Sequence, residues 1–292
     1  MNRLLEKLQQ KKILISDGAW GTMLQSRGLI PGDCPEEWNI SHPDDVRFIA
    51  EKYIAAGSDI VLTNTFGGSL FKLSNFNFET RVYEFNRAGA QISRAAAGED
   101  KIVFSSVGPS GKFLEPLGDV SQEQMMNNFH DQMKGLVDGG VDAILIETMA
   151  DTGEAACAVK AAKAVCNLPV LVTFTFEKGK MGYRTMMGVS VEQAVATMTK
   201  AGADMLGTNC GNGIEQVVEI IEEMRLHTNK YLVAHPNAGL PKLVDSKTVF
   251  DQTPAEMAKH VQRLIDAGAN IIGGCCGTTP AHITAIAKQI HL

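Results

Sequence analysis

Ala56-Gly57-Ser58-Asp59-Ile60-Val61-Leu62-Thr63-Asn64-Thr65 decides the fold, because its first half returns three more times along the chain. Gly139-Gly140-Val141-Asp142-Ala143, Ala201-Gly202-Ala203-Asp204-Met205 and Ala267-Gly268-Ala269-Asn270-Ile271 repeat the same order. Each reads as a helix C-terminus closed by a residue that tolerates positive φ, then a polar residue, then a strand. The strands that follow, such as Ile60-Val61-Leu62 and Ile144-Leu145-Ile146, are apolar on both faces. A strand covered on both sides belongs to a parallel sheet flanked by helices.

Working outward from these four sites, eight β-rich runs recur at regular intervals: Ile13–Ala19, Asp59–Thr65, Lys101–Pro109, Ala143–Met149, Pro169–Phe176, Met205–Cys210, Tyr231–Gly239 and Ile271–Cys276. The echoes precede the even-numbered runs. Between the runs lie segments of helical spacing with starting signals at Ser41-His42-Pro43-Asp44-Asp45, Ser121-Gln122-Glu123-Gln124, Ser190-Val191-Glu192-Gln193 and Thr253-Pro254-Ala255-Glu256. Each offers an N-cap hydroxyl with an acid or amide soon after it. Eight strand–helix units predict one α/β domain over residues 1–292, a (β/α)8 TIM barrel, a fold that typically takes about 250 residues. A doubly wound open sheet is the competing architecture. It is disfavoured because no Gly-x-Gly-x-x-Gly follows the first strand and no linker divides the chain.

The 292 residues are 45% hydrophobic and 21% charged with a net charge of −6, and no basic block appears. That excludes nucleic acid as an expected partner, since the phosphate backbone demands clustered Lys and Arg. Residues Met1 to Lys7 read as a short amphipathic helix and not as a signal peptide, and no stretch is apolar enough to span a bilayer, so a cytoplasmic location is expected. Six cysteines in a reducing compartment point to metal binding, catalysis or plain burial, and away from a disulfide framework.

Three of the six stand apart. Cys275 and Cys276 are adjacent within Gly273-Gly274-Cys275-Cys276-Gly277-Thr278-Thr279-Pro280, and Cys210 ends the sixth strand. Adjacent cysteines rarely bridge each other, because the ring is strained. Both sulfurs reach one point only where the strand stops and glycine allows a turn. The seventh strand alone separates the two cysteine-bearing strands, so the sulfurs can meet above it at the C-terminal mouth, where a barrel of this kind keeps its active site. Three thiolates on Zn2+ leave one coordination position open, as catalytic zinc sites do. Packing as small hydrophobes is the alternative for these thiols, and the expected state of Cys34, Cys157 and Cys166.

A zinc held by three thiolates carries a net charge near −1, which suits it to holding a further thiol more than to generating hydroxide. Alkyl transfer to sulfur is the reaction class this favours, with hydrolysis its rival. Other polar residues gather at the strand ends. Glu147 closes an apolar run and needs a partner, either a substrate ammonium or a loop cation. Asp17 precedes Gly18, whose backbone N–H can meet a substrate carboxylate, although turn chemistry explains the pair equally well. Asn209 sits beside Cys210 among the expected substrate contacts. The Asn237 side chain is placed to fill the fourth metal position before substrate arrives, with loop capping the alternative. His235 and His130 read as supporting or packing residues, and Gly108–Lys112 reads as a turn lacking full phosphate-loop spacing.

Taken in order, Asp17-Gly18-Ala19-Trp20-Gly21-Thr22, Thr63-Asn64-Thr65-Phe66, Asn209-Cys210, Pro236-Asn237-Ala238-Gly239 and Gly273–Pro280 resemble the homocysteine S-methyltransferase family across essentially the whole chain. The resemblance is closest to the branch of the homocysteine-binding barrel of cobalamin-dependent methionine synthase. It implies zinc on Cys210, Cys275 and Cys276, homocysteine sulfur as the fourth ligand, and Glu147 with the Asp17-Gly18 turn at the amino acid end. It further implies methionine as product and a methyl donor from outside, with methylcobalamin on a separate corrinoid protein as first choice. A small sulfonium or betaine-type donor is the alternative, and betaine would call for an aromatic cage. Trp20 and Trp38 are the two tryptophans available, and Trp20 lies at the mouth. A non-catalytic zinc-bearing subunit, or a barrel acting on another thiol or methylated substrate, would keep the same cysteines.

Overall fold

The computed structural model describes residues 2–244 and 247–290. Eight parallel strands form one sheet: β1 Leu14–Ile15, β2 Ile60–Leu62, β3 Ile102–Val107, β4 Ala143–Met149, β5 Val170–Phe174, β6 Met205–Asn209, β7 Leu232–His235 and β8 Ile271–Ile272. Barrel helices alternate with them: α1 Pro43–Ala55, α2 Val82–Ala97, α3 Gln122–Asp138, α4 Thr152–Val165, α5 Val191–Ala201, α6 Ile214–His227, α7 Val261–Asp266 and α8 Pro280–Ile290. Neighbouring strands pair consecutively from β2 round to β8, and β8 returns to β1. The expected eight-stranded barrel is the observed architecture. No helix among the described residues is long and apolar enough to cross a membrane.

The seam between β1 and β2 lacks a regular ladder and is sewn differently. Asp59 donates its backbone N–H to Ile15 (2.7 Å), while the Asp17 carboxylate accepts from the Leu62 backbone at 2.8 Å. A side-chain oxygen thus completes what a short β1 leaves unpaired.

Along each strand alternate side chains face alternate layers. Ile60, Leu62, Ile102, Phe104, Leu145, Leu171, Met205 and Val233 fill the barrel interior, while Val61, Val103, Ile144, Val172 and Leu206 pack outward against the helices. The N-terminal helix, Arg3–Lys11, plugs the lower end with Leu4 and Leu8, which join the interior cluster. Each fully buried leucine contributes about 1.5–3 kcal/mol. Of the amphipathic segment expected there, Met1 lies outside the described residues.

The fourfold echo has a physical cause. Gly57, Gly140, Gly202 and Gly268 all adopt positive φ, between 94° and 107°. The polar residue that follows caps the backbone of the preceding strand: Asp59 accepts from Ile15 N–H, Asp142 from Val103, Asp204 from Val170 and Asn270 from Leu232. Lys11, Arg94 and Lys163 pair with the three aspartates. The lower rim is therefore a ring of side-chain oxygens, three carboxylate and one amide, bonded to strand amides.

Helix starts follow the expected hydroxyls at Ser121, Ser190 and Thr253, each with a complete capping box. Ser41 is the exception: its hydroxyl turns back to Glu37 (2.6 Å), and α1 begins from His42 without a side-chain cap. Several strands also end sooner than the expected runs. Beyond Ile15 the Asp17 carboxylate turns to the Leu62 amide, and beyond Leu62 the Thr63 hydroxyl bonds that of Thr65.

Replacing Asp59 separates the two parts of this rim bond. Asp59→Asn keeps an oxygen for Ile15 N–H and loses Lys11, whereas Asp59→Ala strands the buried amide. Denaturant unfolding should find the alanine variant about 1–3 kcal/mol less stable than the asparagine one; equal stabilities would remove the cap from the explanation.

Candidate active site

β6 and β8 bring the three cysteines together, with β7 between them. The Cys210 amide donates to the His235 carbonyl (3.1 Å) and the Cys275 amide to the Pro236 carbonyl (2.8 Å). Cys210 itself adopts φ 61°, a left-handed conformation that a side-chain-bearing residue rarely takes. That turn swings its sulfur inward. On the other side Thr278 holds the Cys275 carbonyl with both its hydroxyl (2.7 Å) and its amide (3.1 Å), and Gly277 has φ 79°. This is the glycine-flanked turn that lets adjacent cysteines face one way.

The three Sγ atoms lie within 4.8 Å of one another, and Cys210 Sγ is 3.8 Å from Cys276 Sγ. Two sulfurs at about 2.3 Å from a tetrahedral ion sit about 3.8 Å apart, so the spacing fits a shared zinc. All three thiols are free. Hydrogen bonds from the Cys275 and Cys276 thiols, helped by the Asn237 side chain, pull Cys210 down to about 3. The Cys210 sulfur in turn pushes Cys275 well up and Cys276 up to about 12. Their mutual hydrogen bonds favour ionisation of Cys210 at the expense of its two neighbours, and a divalent ion is what would let all three ionise. Asn237 lies beside them with its Oδ1 buried and without a partner among the described residues. An unpaired buried oxygen at that place is a further donor for a metal.

These sulfurs end a cavity of about 480 Å3 at the strand mouth, lined also by Gly18, Ala19, Trp20, Leu62, Ser106, Glu147, Thr148 and His235. Glu147 is buried, bonded to the Ser106 hydroxyl, and without a cation partner among the described residues. Burial first, and the nearby Asp17 and Cys210 next, raise it to about 7. A buried carboxylate that faces a cavity unneutralised is a receptor for a cation.

Asp17 and Asn209 take places behind the wall. Asp17 accepts from Leu62 N–H and from Trp20 Nε1 (2.9 Å), and burial raises it to about 7. It therefore steers Trp20 and closes the barrel seam. Asn209 accepts from the Thr148 amide and the Thr173 hydroxyl, and donates to the Thr148 hydroxyl at 2.8 Å. This clamp holds Thr148 at φ 63°, the residue directly after Glu147. Gly18 does line the cavity, and a Cβ there would lie 2.5 Å from Thr278 Oγ1, so no larger residue fits.

His235 is buried on the cavity wall, held down to about 4 by burial, with Nε2 unpartnered among the described residues. His130 is exposed and pairs with Asp131 on α3. Cys34 bonds Glu36, Cys157 packs within α4, and Cys166 caps its own helix, so none joins the trio. In the segment 108–112, Ser110 N–H is tied to Glu154 (2.6 Å). Trp38 stacks on His42 and does not reach the cavity. Sequence reasoning missed Ser106, Thr148 and Glu36, all lining residues. Ser106 carried a signal, one of two adjacent hydroxyls in a mostly apolar strand; the Thr148 backbone carried none.

A family model described as homocysteine S-methyltransferase matches residues 14–290. Curated relatives include methionine synthases of Mycobacterium leprae and Mycobacterium tuberculosis, each 32% identical over 306 residues that cover 98% of this chain and 25% of the relative. The chain thus spans about a quarter of the length of these relatives. Among solved structures, the oxidised form of the homocysteine methyltransferase MmuM from Escherichia coli superposes with a TM-score of 0.84 at 22% identity, covering 99% of this chain and all (100%) of that one. Its metallated form gives 0.82 at 23%, covering 98% and 99%. At these identities the superpositions establish the fold.

The raised Glu147 makes a pH prediction for the metal-free protein. A carboxyl near 7 when folded, against 4.5 when unfolded, keeps a proton that the unfolded chain has released. Stability from this group is present below 4.5 and is lost as pH rises towards 7. Glu147→Gln should therefore gain up to about 3 kcal/mol relative to the native protein between pH 4.5 and pH 8. Unfolding curves at the two pH values check this, and parallel curves would show that Glu147 is not strained by its burial.

Proposed function

The chain belongs to the homocysteine S-methyltransferase family, and on that premise we propose that it is a zinc-dependent enzyme that methylates the sulfur of homocysteine to give methionine. The observation that carries this is the cysteine trio at one end of a cavity that also presents an unneutralised carboxylate. Cys210, Cys275 and Cys276 would hold the metal, with the Asn237 amide oxygen a fourth donor before substrate binds. Zinc supplies the acidity that keeps a thiol ionised at neutral pH.

The rest is the work of the protein's own groups. Glu147, steadied by Ser106, takes the substrate ammonium, and the ion pair draws its carboxyl back to the ionised form. The Gly18 backbone takes the carboxylate. Asn209 keeps Thr148, and through it Glu147, in place. Held at both ends, the sulfur is aimed out of the mouth, and fixed orientation supplies much of the rate. A bond forms between sulfur and the methyl carbon as the donor's bond to that carbon breaks, and the electron pair leaves with the donor. The thiol proton has gone to solvent by then, so no general base is assigned.

Methylcobalamin carried by a separate corrinoid protein is the first reading of the donor, from the resemblance to the methionine synthase branch. A small sulfonium or betaine-type donor is the second reading, favoured by the rings of Trp20, Phe66 and Phe76 on the cavity wall.

Adding homocysteine to the zinc-loaded protein should release about one proton per site and add a sulfur ligand visible by X-ray absorption. Serine at any one of the three cysteines should reduce bound zinc severalfold. A panel of methylcobalamin, sulfonium and betaine donors then reads methionine formation. No proton release and no new zinc–sulfur contact would refute the acceptor chemistry, and activity with another thiol alone would reassign the substrate.

A further inference from the structure

Behind the cavity wall, away from the sulfurs, four buried polar atoms have no hydrogen-bond partner among the described residues: Asn86 Oδ1 on α2, Asn128 Nδ2 and Gln132 Oε1 on α3, and Ser69 Oγ in the connection that leaves β2. Their residues are at most 1% exposed. Buried polar groups are ordinarily paired, so a group of orphans needs a cause.

All four belong to one clamp on the segment Thr65–Phe71. Asn86 donates its amide nitrogen to the Gly68 and Val82 carbonyls (both 2.7 Å), Gln132 donates to the Thr65 carbonyl (2.9 Å), and Asn128 accepts from the Phe71 N–H (2.7 Å). Ser69 stands at the N-cap of the short helix Leu70–Ser74 yet caps nothing, because Asn128 has taken the Phe71 amide that its hydroxyl would ordinarily receive. Asn128 and Gln132 share one face of α3, a turn apart. Asn86 meets that face, since a Cβ on Gly135 would lie 3.1 Å from the Asn86 Cβ. A Cβ on Gly68, next to Ser69, would overlap Asn86 Oδ1. The unpaired atoms thus gather where α2, α3 and the segment meet.

The same bonds fix which way each amide is turned. Asn86 and Gln132 have committed their nitrogens and offer oxygens; Asn128 has committed its oxygen and offers an N–H; the Ser69 hydroxyl can give or receive. Two acceptors, one donor and one hydroxyl complement a water molecule, which gives two hydrogens and receives two. A buried water typically makes about three such bonds. A metal ion fits badly, because none of the four groups is charged and Asn128 would present hydrogens to it.

We propose that Asn86, Asn128, Gln132 and Ser69 form a closed site for one buried water, and that this water holds the segment Thr65–Phe71 against the outer helices. Phe66 and Gly67 of that segment line the cavity, and the Gly67 N–H holds Glu36 (2.6 Å). The three amide residues are positioning residues for a cavity wall that none of them lines. The site involves neither the metal nor the acceptor thiol, so it stands apart from the reading of the reaction given above.

High-resolution diffraction from the native protein tests it, with Ser69→Ala and Ser69→Val as variants that leave the three amide clamps bonded. The native map should show one water at about 2.7–3.2 Å from Asn86 Oδ1, Gln132 Oε1 and Asn128 Nδ2. Ser69→Ala should keep it with one bond fewer, and its residence time, read by magnetic relaxation dispersion of the solvent, should fall roughly tenfold. Ser69→Val should lose it, because the methyl groups fill its place, and Phe66 should then shift at the cavity. The proposal falls if the native map has no water there, if the four groups bond one another directly, or if a metal ion occupies the site. It falls also if the valine variant keeps the water, or loses it with Phe66 unmoved. Should the valine variant not fold, the native map and the alanine variant still decide, since a residence time equal to the native one would remove Ser69 from the site and overturn the proposal.

Discussion

Sulfurs from two strands that do not touch can share a point only if the strand between them holds both backbones still. β7 does so through two carbonyls, His235 for Cys210 and Pro236 for Cys275. Everything else at the mouth is arranged around that requirement. The left-handed backbone at Cys210 is a local strain that the pairing of β6, β7 and β8 sustains, while after Cys276 a glycine makes the turn without strain. Asn237, the second residue beyond β7, then reaches the same sulfurs from the strand that pins them.

The electrostatics follow from the same crowding. Three thiols, Glu147 and Asp17 put acidic groups in one buried region, and desolvation raises both carboxyls to about 7. A divalent cation at the sulfurs and an ammonium at Glu147 would each neutralise one part of it. The metal and the ammonium proposed there would answer one condition, a crowd of buried acids that ionise only beside a cation. Asp17 is different in kind, because its oxygen is already committed to Leu62 and Trp20.

Much of this was legible in the sequence where a local rule had a local signature. Glycine at positive φ followed by an acid or amide marks four strand starts, and the structure shows the amide hydrogens those oxygens receive. Cysteines at strand ends beside glycine marked the trio. What stayed hidden depends on residues far apart in the chain. Asn209 reads as a substrate contact from its place beside Cys210, yet it clamps Thr148, which belongs to β4's end. Ser41 looks like a cap by its spacing, but Glu37 one turn earlier claims its hydroxyl. The strands are shorter than the expected runs because polar side chains take over at their ends, Asp17 bonding the Leu62 amide and Thr63 bonding Thr65, a choice that hydrophobic pattern does not encode.

The pairing of β1 with β8, and the plug of Leu4 and Leu8 beneath them, carries a consequence for biosynthesis. Leu14 emerges from the ribosome well before Ile271, its neighbour in the sheet, and must wait for all of the intervening strands to be translated. Contacts this distant along the chain form slowly. In the interval the first helix has no cylinder to stopper, and its leucines stay available to a chaperone until the last strand arrives.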